Sequence, residues 1–290
     1  MSSFAGVVLA GGRSSRMGTS KAALEWHGST LLYRTISIVS RVIGGPVLVV
    51  GARGQLLPPL PEDTEVINDT REGMGPVQGL AAGLAAVAAR ADIAFVCSTD
   101  MPFLHPAFVR RVLRAADEGA DVGLPVARGF PQPLAASYRT ALAAVAERLV
   151  EQQRLRPAFL FEQCAVSRLD EATLRADPVL AALDPDLDSV VNVNEPADYQ
   201  AARARPAPEV TVQRLGALAD GHCGPRAARA ATVAEAATAV GLTLDGHISA
   251  ALNRDQITRD GQTPLATGDT VFFLSEADQV TGRFVTTAAR

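Results

Sequence analysis

Eleven residues, Gly11-Gly12-Arg13-Ser14-Ser15-Arg16-Met17-Gly18-Thr19-Ser20-Lys21, concentrate the groups that hold a polyphosphate. Glycines leave backbone N–H groups unobstructed, and hydroxyls, two guanidiniums and an ammonium surround them; oriented amides and cations of this kind bind anions. The spacing Gly12-x5-Gly18-x2-Lys21 is neither the P-loop pattern GxxxxGK[ST] nor the dinucleotide turn GxGxxG. Lys21 is the only lysine in the chain, and every other cation among the 27 Lys and Arg residues is arginine. An ammonium is a compact point charge that fits between phosphate oxygens, where a planar guanidinium is wider.

Two carboxylates complete the set. Asp69 ends the apolar stretch Glu65-Val66-Ile67-Asn68, and Asp100 follows Ile93 to Cys97 and precedes Met101-Pro102. In a parallel α/β sheet, ligands sit beyond the carboxyl ends of the strands, where the Gly11–Lys21 loop, Asp69 and Asp100 all fall. Cations and amides for phosphates, with carboxylates for Mg²⁺ or sugar hydroxyls, are the groups a magnesium nucleotide requires.

The elements that must position these groups are legible in the hydrophobic pattern. Phe4–Leu9 reads as a buried strand cut off by Gly11-Gly12. Ser29 or Thr30 caps a helix to about Val42, and Gly44-Gly45-Pro46 stops it. Pro46–Val50 and Glu65–Asp69 read as strands, Pro76–Ala89 as a helix with proline in its first turn. Ile93–Cys97 is a strand, Pro106–Glu118 a helix, Val122–Pro125 a strand. This order, βαββαβαβ, predicts a Rossmann-like, mostly parallel sheet with right-handed crossovers. Beyond it, Gln132–Tyr138 reads as a strand, Arg139–Gln153 and Arg156–Gln163 as helices, Cys164–Leu169 as a strand, and Pro196–Ala204 as a last helix after the extended stretch Ser189–Glu195.

At Arg205-Pro206-Ala207-Pro208 the pattern changes, as at a linker. Val210–Leu215, Ile248–Asn253 and Val271–Leu274 read as strands, Thr232-Val233-Ala234-Glu235 as a capping box opening a helix to about Val240, and Ala219–Ala231 as a polar loop. The chain therefore divides into a larger α/β domain of about 200 residues over 1–204 and a smaller α+β domain over 209–284. A length of 290 residues suits that division, and 48% hydrophobic content supports full cores.

Bulk properties exclude several classes. A net charge of −4 gives no basic field for nucleic acid or an anionic membrane surface. Cys97, Cys164 and Cys223 are scattered without CxxC or paired histidines, which argues for a reducing compartment, the cytoplasm, and against zinc. No charged leader precedes the first apolar run, and no stretch of about 18 apolar residues is present. His27, His105, His222 and His247 are isolated, and Trp26 and Tyr33 read as packing residues.

Over residues 4–204 the chain resembles the molybdenum cofactor guanylyltransferases, the MobA-like nucleotidyltransferases. The resemblance rests on Leu9-Ala10-Gly11-Gly12-x-Ser14-x-Arg16-Met17-Gly18-x-x-Lys21, Ile67-Asn68-Asp69, Gly75-Pro76-x-x-Gly79-Leu80 and Asp100-Met101-Pro102-Phe103. Gln132-Pro133-Leu134 with Tyr138, and Val191-Asn192-Val193-Asn194-Glu195-Pro196, complete it. It implies GTP and molybdenum-molybdopterin as substrates. It implies that Leu9, Ala10, Gly11, Gly12 and Asp69 contact the nucleotide, with Gly79 near the base. Arg16 and Lys21 hold phosphates, Asp100 ligates Mg²⁺, and Asn192 and Asn194 line the pterin side. Ser20 departs from the family, which often has Asp before the lysine. Residues 209–284 more weakly resemble the ubiquitin-like (MoaD/ThiS-like, β-grasp) sulfur carriers, through Ile248-x3-Leu252-Asn253 and Thr263-Pro264-Leu265-x2-Gly268-Asp269-x-Val271. The tail Val280-Thr281-Gly282-Arg283-Phe284 has no diglycine, so sulfur transfer is not expected, and the readings are a docking or stabilising role toward other cofactor-biosynthesis or acceptor proteins, or a decayed fusion partner. A cytidylyl- or sugar-phosphate nucleotidyltransferase of the same fold, or a non-catalytic nucleotide-binding scaffold, remain the alternatives on sequence grounds.

Overall fold

The structure is a computed structural model, and it describes residues 2–11, 20–69, 75–219 and 224–276. The chain separates into two compact units, Met1–Arg203 and Ala204–Arg290.

The first unit is built on β1 (Phe4–Leu9), α1 (Leu31–Ser40), β2 (Val47–Ala52), β3 (Glu65–Asp69), α2 (Gly75–Val87), β4 (Ile93–Ser98), α3 (Pro106–Asp117), β5 (Val122–Ala127), β6 (Ala135–Arg139), α4 (Ala143–Glu151), β7 (Val166–Leu169) and α5 (Pro196–Arg203). The sheet runs β7-β5-β6-β4-β1-β2-β3, and the two-residue strand Phe130–Pro131 pairs with the end of β5. Every neighbouring pair in that order is parallel except those made by β6, which is antiparallel to both β4 and β5. The expected parallel sheet is present, with one reversed strand at its centre that the βαβ pattern does not foretell.

β1 is a central strand because it is apolar on both faces, with Ala5, Val7 and Val8 fully buried. Close approach of two helices fixes its environment. A Cβ on Gly6 would lie 2.6 Å from Val39 Cγ1 of α1, and one on Gly83 of α2 would lie 2.4 Å from Val7 Cγ1. Gly83→Ala is therefore expected to destabilise the first unit by about 1–3 kcal/mol through overpacking. Gly79→Ala, whose Cβ meets Leu9 only at 3.4 Å, should be near neutral. Urea unfolding followed by the single tryptophan, the buried Trp26, reports this unit alone.

Local chemistry sets the helix ends. Thr30 Oγ1 accepts the N–H of Tyr33 at 3.1 Å, so Thr30 rather than Ser29 caps α1. The helix closes at Ser40, two residues before the expected Val42, and residues 41–42 form a turn. α3 is capped by His105, buried, whose Nδ1 accepts the N–H of Ala107 at 3.0 Å, with Pro106 at the first helical position. Short helices at Glu171–Arg175 and Pro178–Leu183, absent from the sequence reading, are each capped by an aspartate, Asp170 and Asp177. The strand expected over Cys164–Leu169 begins at Val166.

The second unit has β8 (Glu209–Arg214), β9 (Arg226–Arg229), α6 (Val233–Ala239), β10 (Ile248–Leu252), β11 (Gln256–Thr258) and β12 (Thr270–Ser275). Its sheet order is β9-β8-β12-β10-β11, with β8 and β12 parallel and the other pairs antiparallel. Thr232 Oγ1 caps α6 by accepting Glu235 N–H, and Glu235 reaches back to Ala231 N–H, the expected capping box with its return bond one residue early. The expectation of a loop over Ala219–Ala231 is corrected by β9. Arg226–Arg229 has no alternating pattern, and is a strand because its backbone pairs with β8 from Glu209↔Arg229 to Val212↔Arg226. No helix among the described residues is long and apolar enough to cross a membrane.

Candidate functional site

Three distant segments meet at Lys21. The residue opens a short 3₁₀ turn, Lys21–Ala23, and its Nζ donates to Asp100 Oδ2 at 2.9 Å and to Asn194 Oδ1 at 2.8 Å. The lysine and aspartate side chains are 20% and 17% exposed, so the pair is partly screened from water but open on one side. Asp100 Oδ1 accepts from Ser98 Oγ, and the Asp100 carbonyl accepts Val193 N–H at 2.8 Å. Asp198 Oδ2 accepts the N–H groups of Asn194 and Glu195, at 3.0 and 2.9 Å, and so fixes the backbone that carries Asn194.

A small satellite core holds these segments together. Trp26, Leu31, Val193 and Ala202 are buried in one cluster, with Leu24, Phe103 and Tyr199 packed against it. These residues flank Lys21, Asp100 and Asn194 in the chain. Trp26 meets Phe103 edge to face, with ring centroids 5.7 Å apart. Arg34 Nε donates to Pro102 O, and Tyr199 Oη to the Glu25 carbonyl, each at 2.6 Å. Trp26 thus packs, as its sequence context suggests.

The chain leaving β1 is also fixed. Ala10 and Gly11 N–H both donate to Val50 O, and Gln55 spans the gap, donating to Ala10 O and accepting Ala52 N–H. A Cβ on Gly11 would lie 3.3 Å from Ala52 N, so a larger residue would press on β2. Gly12 and Arg16 lie outside the described residues. Gly79 is buried against the Leu9 side chain.

The sheet separates the two carboxylates. Asp69 ends β3, and three strand spacings, about 14 Å, lie between β3 and β4, whose end carries Asp100. They cannot share one ion. Asp69 lies at the C-terminal edge of the same sheet, three strands from the Lys21–Asp100 pair. Asn192 is exposed and takes no part in the Lys21 contacts, whereas Asn194, expected on the pterin side, meets Lys21. Ser98, Gln55 and Asp198 were not singled out by sequence. Ser98 precedes Asp100 by two residues and Asp198 follows Pro196 as a first-turn acid, signals that are visible only once the strand and helix ends are known.

Residues 6–167 match the model of the MobA-like NTP transferase domain, more than half the chain. The chain belongs to the MobA-like NTP transferase family. It is an enzyme, a nucleotidyltransferase. A "probable molybdenum cofactor guanylyltransferase" of Mycobacterium ulcerans is 40% identical over 171 residues, spanning 58% of this chain and 83% of that relative. One of Mycobacterium avium is 37% identical over 207 residues, spanning 69% and 96%. The crystal structure of molybdopterin-guanine dinucleotide biosynthesis protein A from Archaeoglobus fulgidus superposes with a TM-score of 0.56 at 24% identity, covering 69% of this chain and 96% of that one, which shows a shared fold.

The transferase has no group of three or more His, Cys, Asp or Glu side chains arranged for a metal among the described residues. The single Asp100 carboxylate fits Mg²⁺ entering with a nucleotide, because this ion keeps several waters and is held by one or two carboxylates plus substrate phosphates. Beneath the site, burial, and secondarily the charge of Asp100, pushes the Cys97 thiol up, so it stays protonated and unreactive at neutral pH. Cys164 is pushed up to about 11, again mainly by burial. Both are free thiols.

Proposed function

We propose that this nucleotidyltransferase transfers GMP from GTP to the terminal phosphate of molybdenum-molybdopterin and releases pyrophosphate. The observation that carries the reading is the convergence of Lys21, Asp100 and Asn194. The relatives' names supply the substrates. A phosphate monoester is ionised near neutral pH, so its oxygen attacks the α-phosphorus without a general base. The bond from the α-phosphorus to the bridging oxygen breaks, and pyrophosphate carries away the electron pair. Positioning and charge stabilisation then supply the rate.

Lys21, held by Asp100 and Asn194, aims its ammonium at the phosphates. Arg16 adds a second cation on the resemblance alone. The backbone of Leu9, Ala10 and Gly11 would lie along the nucleotide, with Gly12 added on the resemblance alone, and Asp69 serves its sugar or base end. Asp100 would hold Mg²⁺, which when bound offsets negative charge on the phosphates. Asn192, exposed beside this segment, faces the acceptor side. The second unit we read as a β-grasp domain, supported by its five-stranded sheet with a parallel pair and, among the described residues, a single helix of more than one turn. An experimental structure with another strand order would overturn that.

The test is pyrophosphate release by the purified protein with Mg²⁺ and molybdopterin, run with GTP, CTP, ATP and UTP in parallel. GTP-selective release is expected. Selectivity for CTP would keep the chemistry and change the product. Nucleotide binding without release from any of the four would overturn the assignment in favour of a different acceptor or a scaffold.

A further inference from the structure

The end of β5 carries a feature that the Lys21 site does not use. Arg128 and Gly129, with φ of 55° and 80°, form a two-residue turn, and Phe130-Pro131 returns antiparallel to Val126-Ala127. Positive φ at both turn positions is the primed-turn conformation that matches strand twist, and it is strained for a residue with a side chain. Arg128 is held there by three bonds: its N–H donates to Glu171 Oε1 at 2.8 Å, and its guanidinium to Asp188 Oδ1 at 2.8 Å and Asp186 O at 3.2 Å. Gln132 Nε2 ties the base of the hairpin, donating to Ala127 O and Phe130 O. The result is a stiff hairpin that leaves a phenylalanine 70% exposed. A lone surface hydrophobe is ordinary, but one fixed on a strained, triply bonded turn at the ligand edge of the sheet is not.

Its neighbours connect it to the site. The strand that leaves Phe130 continues into β6, between β5 and β4, and Leu134 O accepts Ser98 N–H at 3.1 Å. On the other side, Asp188 leads through Val193, bonded to Asp100 O, to Asn194 on Lys21. Two chain segments thus join the hairpin to Asp100, on the edge of the sheet where β6's neighbours β5 and β4 end. β5 lies two strand spacings, about 10 Å, from β4. An acceptor whose reacting phosphate lies at Lys21 and Asp100 would place the rest of its body across that distance, toward the hairpin.

The geometry points to Phe130 as a specificity-determining residue that stacks on a planar fused-ring heterocycle of the phosphorylated acceptor. This rests on the nucleotidyl-transfer reading for the position of the phosphate. Aromatic faces recognise such rings without demanding a particular hydrogen-bond pattern.

The test is Phe130→Ala in the full chain, with Phe130→Tyr as the conservative control. The KM for molybdopterin should rise about tenfold in the alanine variant, in line with the loss of one stacked ring. The KM for GTP should stay within about twofold, and tyrosine should restore the acceptor KM. An unchanged acceptor KM, or an equal rise in both KM values, overturns the inference and leaves the transfer reading intact. Direct calorimetric titration of molybdopterin into the protein separates the other case. A tenfold weaker Kd in Phe130→Ala, in a protein that transfers no nucleotide, upholds Phe130 and overturns the transfer reading. Failure of the unaltered protein to bind molybdopterin overturns both.

Discussion

Lys21→Ala is expected to lower the rate of pyrophosphate release by about 10²-fold or more, the cost of losing one preorganised charge donor at the reacting phosphates. Lys21 is the only lysine in the chain, and its ammonium is held by one carboxylate oxygen and one amide oxygen, at 2.9 and 2.8 Å. The preorganisation comes from those two acceptors, because they fix the donor before substrate arrives. Lys21→Arg is expected to recover little. A planar fork needs a different arrangement of acceptors from the one that Asp100 and Asn194 give a point charge. Asn194→Ala should move the rate in the same direction by less, since Asp100 still holds the ammonium. Single-turnover transfer measured at saturating GTP checks this, and turnover within a few-fold of the unaltered protein in Lys21→Ala would remove Lys21 from the mechanism. Loss of folding is not the explanation to expect. Trp26 and its neighbours hold the Lys21 turn by packing, so the fluorescence of Trp26 and the urea midpoint should be nearly unchanged.

Asp100→Ala should cost at least as much, about 10²–10³-fold, because the carboxylate has two duties. It is the counter-charge of Lys21, and in the proposed reaction it would hold a nucleotide-bound Mg²⁺ just beyond the end of β4. Asp100→Asn separates the two. The amide keeps an oxygen for Lys21 but removes the negative charge that a hard cation requires. Its expected signature is an increase of about tenfold or more in the Mg²⁺ concentration for half-maximal rate, with GTP binding largely retained. An unchanged Mg²⁺ dependence in Asp100→Asn would move the metal role elsewhere. Asp69→Ala, about 14 Å away across the sheet, should instead raise the KM for GTP and leave the Mg²⁺ dependence alone.

The Gly-rich stretch, the lone lysine and the strand-end aspartates stand out as candidates in the sequence because each is a local signal. Glycine ends a strand within a residue or two, an apolar run declares burial, and an acid at a strand end lies on the ligand edge of any parallel sheet. The same holds for the capping box at Thr232 and for most helix positions. The sequence by itself therefore determined the α/β order of the first unit, its family resemblance and the candidates Lys21, Asp69 and Asp100.

What the tertiary structure decided is the company those residues keep. The reversal of β6 depends on its pairing with β4 and β5. β9 exists as a strand through its ladder with β8, against a composition that favours a loop. The bond from Lys21 to Asn194 joins residues 173 apart, and the clamp of Arg128 on Asp188 joins residues 60 apart. Such contacts have no local signature, because strand pairing and side-chain convergence are set by the packing of the whole sheet, while propensity and pattern act over a few residues.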